Sequence, residues 1–477
     1  MVSFQVKISC PSTDVKNYIN LRTDDWLIGY NSFEFNKIYQ QRLQDLTEFI
    51  NAQGVRPKII LAEPEPIAFL ATFLAAVVAK CPVFLCNPNW VKAEWKQVFK
   101  IVHPDVIFGN LEEFNPSYIQ TNSVIPTPAN SIMIPTGGSS GNLRFVIHTW
   151  ETLTASVQGF QQYFNLKKVN SFCTLPLYHV SGLMQFMRSF TTGGRLAIFP
   201  FKAVETGELI EFNPSEFFIS LVPTQLQRLL NRSQTPGWLS QFKTVLLGGA
   251  PAWLELLQQA RLHQIRLAPT YGMTETAAQI ATLKPDEFLA GNNSYGQVLP
   301  HAKIKIYTEN NQELGINQLG IISIEADSLT LGYYGQTYNP KCRMQTLKSD
   351  DLGYLDEQGY LTIVGRNSYK ILTGGENVYP VEVEGAIRST GLVADVGVIG
   401  LCDSHWGQVI TAVYVPTFPD VSISSLQTAL QDKLSKFKQP KYWVAVESLP
   451  RNVQGKLNLK QLEELAEKFL NRATDSR

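Results

Sequence analysis

The sequence predicts an α/β protein: a large N-terminal region of stacked α/β sheets, a β-rich part near its end, and a small α+β domain at the C-terminus. Three observations carry this. Short β-branched runs alternate with helix-length stretches over more than 300 residues, as βαβ units do. Past Leu299-Pro300 the texture changes to short alternating segments broken by Asn, Gly and Asp, the mark of antiparallel strands. The last roughly 110 residues, from Ser368 onward, carry their own glycine turn, helices and strands, enough for a separate domain. The expected division is therefore 1–367, with its β-rich part at about 300–367, and 368–477.

Taken in order, Lys58–Leu61 reads as a strand. Glu65-Pro66 opens an apolar helix with proline in its first turn, and Pro82–Leu85 is the next strand. Ser131–Pro135 and Phe145–His148 follow as strands, Thr149–Tyr163 as a helix and Ser171–Pro176 as a strand. Phe217–Val222 and Thr244–Leu247 are buried-strand patterns, and Trp253–His263 is helical. Lys303–Tyr307, Gly320–Glu325 and Tyr360–Val364 alternate as half-buried strands do. In the tail, Thr373-Gly374-Gly375 is a turn, Pro380 opens a helix, Asp395–Gly400 and Val409–Val415 are strands, and a final helix starts at Leu459.

Composition excludes several classes. Lys and Arg number 41, as do Asp and Glu, so no net charge is available to grip a nucleic-acid backbone or an anionic membrane. With 44% hydrophobic and 17% charged residues the chain is not disordered. Six scattered cysteines, none in a CxxC pair, suit a reducing compartment and form no readable disulfide framework or zinc site. The segment Met1–Pro11 lacks a signal-peptide core, and the longest apolar run, Ile67–Ala79, is shorter than the ~20 residues that span a bilayer. The expectation is a cytoplasmic protein with small-molecule partners.

Four segments carry chemistry. In Pro135-Thr136-Gly137-Gly138-Ser139-Ser140-Gly141-Asn142-Leu143-Arg144, glycines and hydroxyls between two strands can turn backbone N–H and side-chain O–H groups toward a polyanion, with Arg144 supplying charge. It is not a Walker loop, because GxxxxGK[ST] is absent. Two competitors stand beside the phosphate loop. One is a plain surface turn; the other is a hydrolase elbow with Ser139 as nucleophile and Asp351 and His405 behind it, although an elbow requires a helix where Phe145-Val146-Ile147 favours a strand. Ala268–Thr276 reads as a glycine-bent turn presenting Tyr271, hydroxyls and Glu275, the groups that stack a base, touch a phosphate and hold Mg²⁺; its competitor is a helix N-terminus capped by Thr274. In the stretch from Ser349-Asp350-Asp351 to Gly365-Arg366, a carboxylate can accept both hydroxyls of a ribose beside an arginine. Pro450–Leu457 holds Lys456 on a Pro/Gly loop.

In this order and spacing the set resembles the adenylate-forming superfamily of acyl-CoA synthetases, peptide-synthetase adenylation domains and luciferases, over nearly the whole chain. The resemblance implies ATP, Mg²⁺ and coenzyme A as cofactors and a mobile C-terminal domain. It places Thr136, Gly137, Gly138, Ser139, Ser140 and Gly141 on the ATP phosphates and Gly249, Ala250, Pro251 and Tyr271 beside the adenine, with Gly272 and Thr274 also among the cofactor-binding residues. Glu275 would hold Mg²⁺, Asp351 the ribose, Arg366 the ribose or phosphate, and Gly374 and Gly375 the pantetheine tunnel. Ser368 would be the pivot and Lys456 the adenylation lysine. Three departures stand out: Arg144 replaces the usual loop lysine, Leu143 the proline before it, and Ser349-Asp350-Asp351 the usual TGD.

Pro176–Leu183, Val222-Pro223-Thr224-Gln225 and His148-Thr149-Trp150 after the loop resemble the o-succinylbenzoate-CoA ligases of menaquinone and phylloquinone synthesis. That implies an acid with one reacting and one spectator carboxylate, for which His179, Ser181, Arg188 and Thr224 are candidate partners. The competing reading of Arg188 is a solvated helix face. Other aryl or acyl acids remain alternative substrates.

Overall fold

The computed structural model describes residues 15–20, 22, 24–109, 127–137, 143–208, 212–336, 344–403, 405–452 and 455–475. They fall into two compact units. One is drawn from within Met1–Thr136, Leu143–Phe199 and Asp327–Met344, the other from within Gly137–Asn142, Pro200–Ala326 and Gln345–Arg477.

In the first unit, strand Ile59–Leu61 lies between parallel neighbours Val83–Leu85 and Val106–Phe108. Strands Ile132–Gly137 and Leu143–His148 continue that sheet. All three residues of Ile59–Leu61 and of Val83–Leu85 are fully buried, as strands covered on both faces must be. The crossover helix Pro66–Val78 begins with Glu65 at its N-cap and is apolar nearly all round, which suits a helix buried on most sides. Residues 327–336 belong here too. Gly332–Tyr333 pairs antiparallel with Val146–Ile147, Thr330 Oγ1 donates to the Ile147 carbonyl at 2.7 Å, and the Tyr334 ring meets Phe84 edge-on at 4.9 Å. A second group, Leu27–Ile28, Leu196–Ile198 and Asn170–Cys173, is parallel.

In the second unit, Phe217–Leu221, Thr244–Leu247 and Leu267–Met273 run parallel in that order, and Ala278–Thr282 and Gln297–Val298 extend the sheet antiparallel. Ala302–Tyr307, Gly320–Ala326, Leu347–Leu355 and Leu361–Arg366 form an antiparallel meander, where the sequence placed its β-rich part. In the tail, Gly407–Pro416 pairs antiparallel with Val393–Asp403 and parallel with Tyr442–Ala445. Helices Pro380–Arg388 and Ile423–Leu430 pack on one apolar cluster and Leu459–Asp475 on another.

Two expectations are corrected. The stretch 268–276 is no single turn: Leu267–Met273 is a strand, and Thr274–Thr276 is one 3-10 turn whose cap residue is Met273, so Thr274 caps no helix. The hydrolase elbow fails because strand Leu143–His148, not a helix, follows the glycine loop.

Candidate active site

The site is assembled by the antiparallel pair Leu347–Leu355 and Leu361–Arg366, whose register sets Asp351 opposite Arg366. Arg366 Nε donates to Asp351 Oδ1 at 3.1 Å, and Tyr271 Oη donates to Asp351 Oδ2 at 2.7 Å. Both carboxylate oxygens are thereby held, with Asp351 and Tyr271 each only 8% exposed. Backbone geometry adds to this, since the Asp351 N–H donates to Ser349 Oγ at 3.1 Å. Burial, then the neighbouring Asp351 charge, pushes the Tyr271 phenol well above its ordinary value, so it stays a donor. Burial works against the Arg366 charge, but Asp351 and Tyr369 outweigh it and raise the pKa. The guanidinium keeps an open side, because the Arg366 side chain is 46% exposed.

Glu275 sits half-buried on the 3-10 turn between strands Leu267–Met273 and Ala278–Thr282. Gly272 is required there: a Cβ would stand 2.1 Å from the Ala278 carbonyl oxygen. Ala277 and Ala278 take φ of 51° and 82°, a left-handed pair that costs alanine energy and persists only where the surroundings hold it. Thr276 does so. Its Oγ1 accepts from the Met273 N–H at 3.0 Å and lies within bonding distance of the Met273 and Ala278 carbonyls, at 3.0 and 2.6 Å. Sequence reasoning gave Thr276 no role, since one more threonine after Thr274 and Glu275 carries no signal.

After strand Thr244–Leu247 the chain turns through Gly249, at φ 84°, with Gly249 and Pro251 exposed and Ala250 half-buried. Tyr295 was also missed. Burial, then the Asp351 charge, lifts its phenol to about 12, against a hydrogen bond from the Ala252 backbone, which ties Tyr295 to both the glycine turn and the carboxylate.

Lys456 reaches this cluster from the tail. Gly455, at φ 74°, lies so close to Thr224 that a Cβ would meet its Oγ1 at 2.5 Å and Val222 Cγ2 at 3.4 Å. Thr224, expected as a substrate contact, is therefore placed beside the lysine loop. By residue surface Lys456 is exposed. Protein packed around its ammonium and the Arg366 charge lower its pKa, while Glu275 and Asp351 act in the opposite sense. Tyr271, Glu275, Asp351, Arg366 and Lys456 are thus brought together.

Ser368 lies on the short turn Asn367–Tyr369, where its N–H donates to Asp350 Oδ1 at 3.1 Å and its hydroxyl donates to Asp350 Oδ2. Gly374 and Gly375, at φ 57° and 85°, form the two-residue turn between Ile371–Thr373 and Glu376–Val378. A Cβ on Gly374 would stand 2.9 Å from the Trp406 ring.

Thr136 and Gly137 end strand Ile132–Gly137, and Gly138, Ser139, Ser140 and Gly141 lie outside the described residues. Arg144 is exposed with its guanidinium 5.7 Å over the Tyr333 ring. His179 caps helix Val180–Thr192: its Nδ1 accepts from the Ser181 N–H at 3.4 Å and lies 3.0 Å from Ser181 Oγ. Arg188 overturns the solvated-face reading, being 3% exposed with its guanidinium 4.4 Å over Phe160. Burial pulls it down to about 9, still protonated at neutral pH.

The described residues hold no group of three or more His, Cys, Asp or Glu able to cage a metal ion. A single carboxylate, Glu275, fits Mg²⁺, which takes one or two carboxylates and completes its shell with phosphates and water.

A model of the AMP-binding enzymes matches residues 30–334, and a model of their C-terminal domain matches residues 382–456. The chain belongs to the AMP-binding enzyme family. It is 35% identical over 332 residues to the 2-succinylbenzoate–CoA ligase of Oceanobacillus iheyensis, covering 68% of each chain. The enzyme of the same name from Enterococcus faecalis is 32% identical over 325 residues, 68% of this chain and 67% of its own. Among solved structures, the o-succinylbenzoate CoA synthetase of Bacillus subtilis with its acyl-adenylate superposes at a TM-score of 0.79 and 25% identity, over 94% of this chain and 98% of that one. The chain is an AMP-forming CoA ligase of this family, which shares the large α/β domain and small C-terminal domain seen here.

Proposed function

We propose that this AMP-binding enzyme ligates o-succinylbenzoate to coenzyme A in two steps at one site, at the expense of ATP. In the first, a carboxylate oxygen of the acid attacks the α-phosphorus, the bond to the bridging oxygen breaks, and pyrophosphate leaves. In the second, the thiol sulfur attacks the acyl carbon, AMP leaves with the bonding pair, and the thiol proton passes to solvent. Bound Mg²⁺, held by Glu275, supplies neutralisation of phosphate charge. The observation that carries the reading is Asp351, gripped on both oxygens by Tyr271 and Arg366, with Lys456 delivered beside it.

Neither step needs a protein nucleophile, so the residues position and neutralise. Asp351 accepts the ribose hydroxyls, and Arg366 turns its open side to ribose or phosphate. Thr136 to Gly141, with Arg144, cradle the phosphates, while Gly249, Ala250 and Pro251 flank the adenine. Lys456 donates to the oxygens that gain charge as pyrophosphate departs. Arg188, on the helix capped by His179, is assigned the spectator carboxylate. The domain boundary lies at Ser368, about which the tail turns to bring Gly374 and Gly375 to the thiol. The protein is placed in the cytoplasm, consistent with Cys81, Cys86, Cys173 and Cys402 all being free.

The test is AMP release with ATP and coenzyme A across a panel of acids. Release with o-succinylbenzoate alone supports the reading. Release only with plain benzoates or fatty acids keeps the ligase and replaces the substrate, and ATP-independent ester hydrolysis lost in Ser139→Ala would overturn it.

A further inference from the structure

The lysine loop is held by a charge network that the mechanism above does not use. Arg451, five residues before Lys456, lies in a bridge with Leu457 and donates through Nη1 to the Gly455 carbonyl at 2.8 Å. Its other nitrogens fork onto one carboxylate: Nε to Asp395 Oδ2 and Nη2 to Asp395 Oδ1, both at 2.8 Å. Asp395 is shared, since Arg388 Nη2 also donates to Oδ1 at 2.6 Å and to the Val396 carbonyl at 2.9 Å. The Arg388 guanidinium in turn lies 4.6 Å over the ring of Trp253, which sits just after the Gly249-Ala250-Pro251 turn. One carboxylate therefore joins the arginine that clamps the lysine loop to the arginine that rests beside the nucleotide turn.

We propose that Asp395 is a positioning residue for Lys456, fixing through Arg451 the carbonyl of Gly455 and hence the point from which the lysine extends. The inference rests on the adenylation reading of Lys456. Three features make the clamp specific. A bidentate guanidinium–carboxylate fork fixes direction as well as distance, which a lysine at position 451 does not. Gly455 has no side chain to restrain it and packs directly on Thr224, so its carbonyl is the handle left to hold. Local bonds shape the loop as well: the Asn452 N–H donates to the Lys456 carbonyl at 2.9 Å, the Gly455 N–H to the Asn452 carbonyl at 2.8 Å and the Lys456 N–H to Asn452 Oδ1 at 2.9 Å. Burial disfavours the charged form of Asp395, but the hydrogen bond from Arg451 and the charges of Arg388 and Arg451 outweigh it and hold the carboxyl below its ordinary value, so the clamp is ionised at neutral pH.

The consequence separates the two half-reactions, because only the first uses Lys456. In Asp395→Asn and Arg451→Lys, acid-dependent pyrophosphate exchange should fall about tenfold to a hundredfold, the usual cost of losing a supporting contact behind a functional group. The loss should appear in kcat, with KM for ATP and thioester formation from supplied acyl-adenylate both within about twofold of the parent. Amide hydrogen exchange in the peptide 449–458 should quicken in both variants without a matching change elsewhere. Should Asp395→Asn not accumulate as folded protein, Arg451→Lys carries the test. Parallel loss of both half-reactions, parental pyrophosphate exchange, or unchanged hydrogen exchange in 449–458 would each overturn the proposal. If the parent protein showed no pyrophosphate exchange with any acid, the ligase reading would fail, and hydrogen exchange would still decide whether Asp395 orders the loop.

Discussion

Asp351 shows how much of the site depends on single atoms. Its carboxylate is 80 residues from Tyr271 in sequence, yet Tyr271 Oη meets it at 2.7 Å. Tyr271→Phe keeps the ring and removes that donor, freeing Asp351 to rotate; KM for ATP should rise about fivefold to tenfold with kcat little changed, the pattern of lost ground-state binding. Steady-state kinetics against ATP check this. Lys456→Ala should lose roughly a hundredfold or more in adenylation and spare thioester formation from supplied acyl-adenylate. The pH dependence has a definite sign. Protein packing and Arg366 lower the Lys456 pKa from 10.5, so the ammonium is lost on raising the pH sooner than in a free lysine. Adenylation should fall along an alkaline limb below pH 10.5, and Lys456→Arg should move that limb upward out of the measured range.

At the scale of elements, the Ser368 turn, proposed above as the pivot, and the glycine hairpin carry their own predictions. Asp350, standing where the family pattern has glycine, receives both the N–H and the hydroxyl of Ser368. Asp350→Gly releases that turn, and the ratio of thioester formation to adenylation should rise by roughly threefold to tenfold, the scale of one or two lost hydrogen bonds. An unchanged ratio in single-turnover measurements would remove Asp350 from the proposed pivot. Gly374→Trp places a large side chain at φ 57° against the Trp406 ring; it should block thioester formation and leave pyrophosphate exchange intact.

Elements were legible where local signals were strong and agreed. Pro66 in a first turn and the apolar run after it, interrupted by Thr72 alone, gave the crossover helix, and β-branched runs bounded by turns gave Ile59–Leu61 and Thr244–Leu247. Leu267–Met273 misled because Gly272 and its hydroxyl neighbours imitate turn composition, whereas glycine is there to let two strands approach. Arg188 misled because its helix is covered on both sides, and one helix's periodicity does not report what packs against its polar positions. Tyr295, Thr276 and the Asp395–Arg451 pair, 56 residues apart, were illegible for a shared reason: their partners are set by topology, and nothing in the local sequence marks them.

Over the whole molecule the charges balance at 41 against 41, so there is no general positive field for substrate anions, and the proposed mechanism relies on local cations such as Arg366 and Lys456. Among the described residues no helix is long and apolar enough to cross a membrane. The chain covers about two thirds of its curated relatives in sequence and nearly all of the B. subtilis structure in fold, so the architecture persists where residue identities do not. The central claim is that one site first activates an acid as its adenylate and then hands the acyl group to a thiol. Its most direct test is AMP release followed with o-succinylbenzoate, ATP and Mg²⁺, with and without coenzyme A. The account predicts pyrophosphate without coenzyme A at a slow, product-bound rate, and steady AMP release with the acyl-CoA thioester only when all components are present. AMP or ADP formation independent of the acid, or thioester formation without ATP, would contradict it.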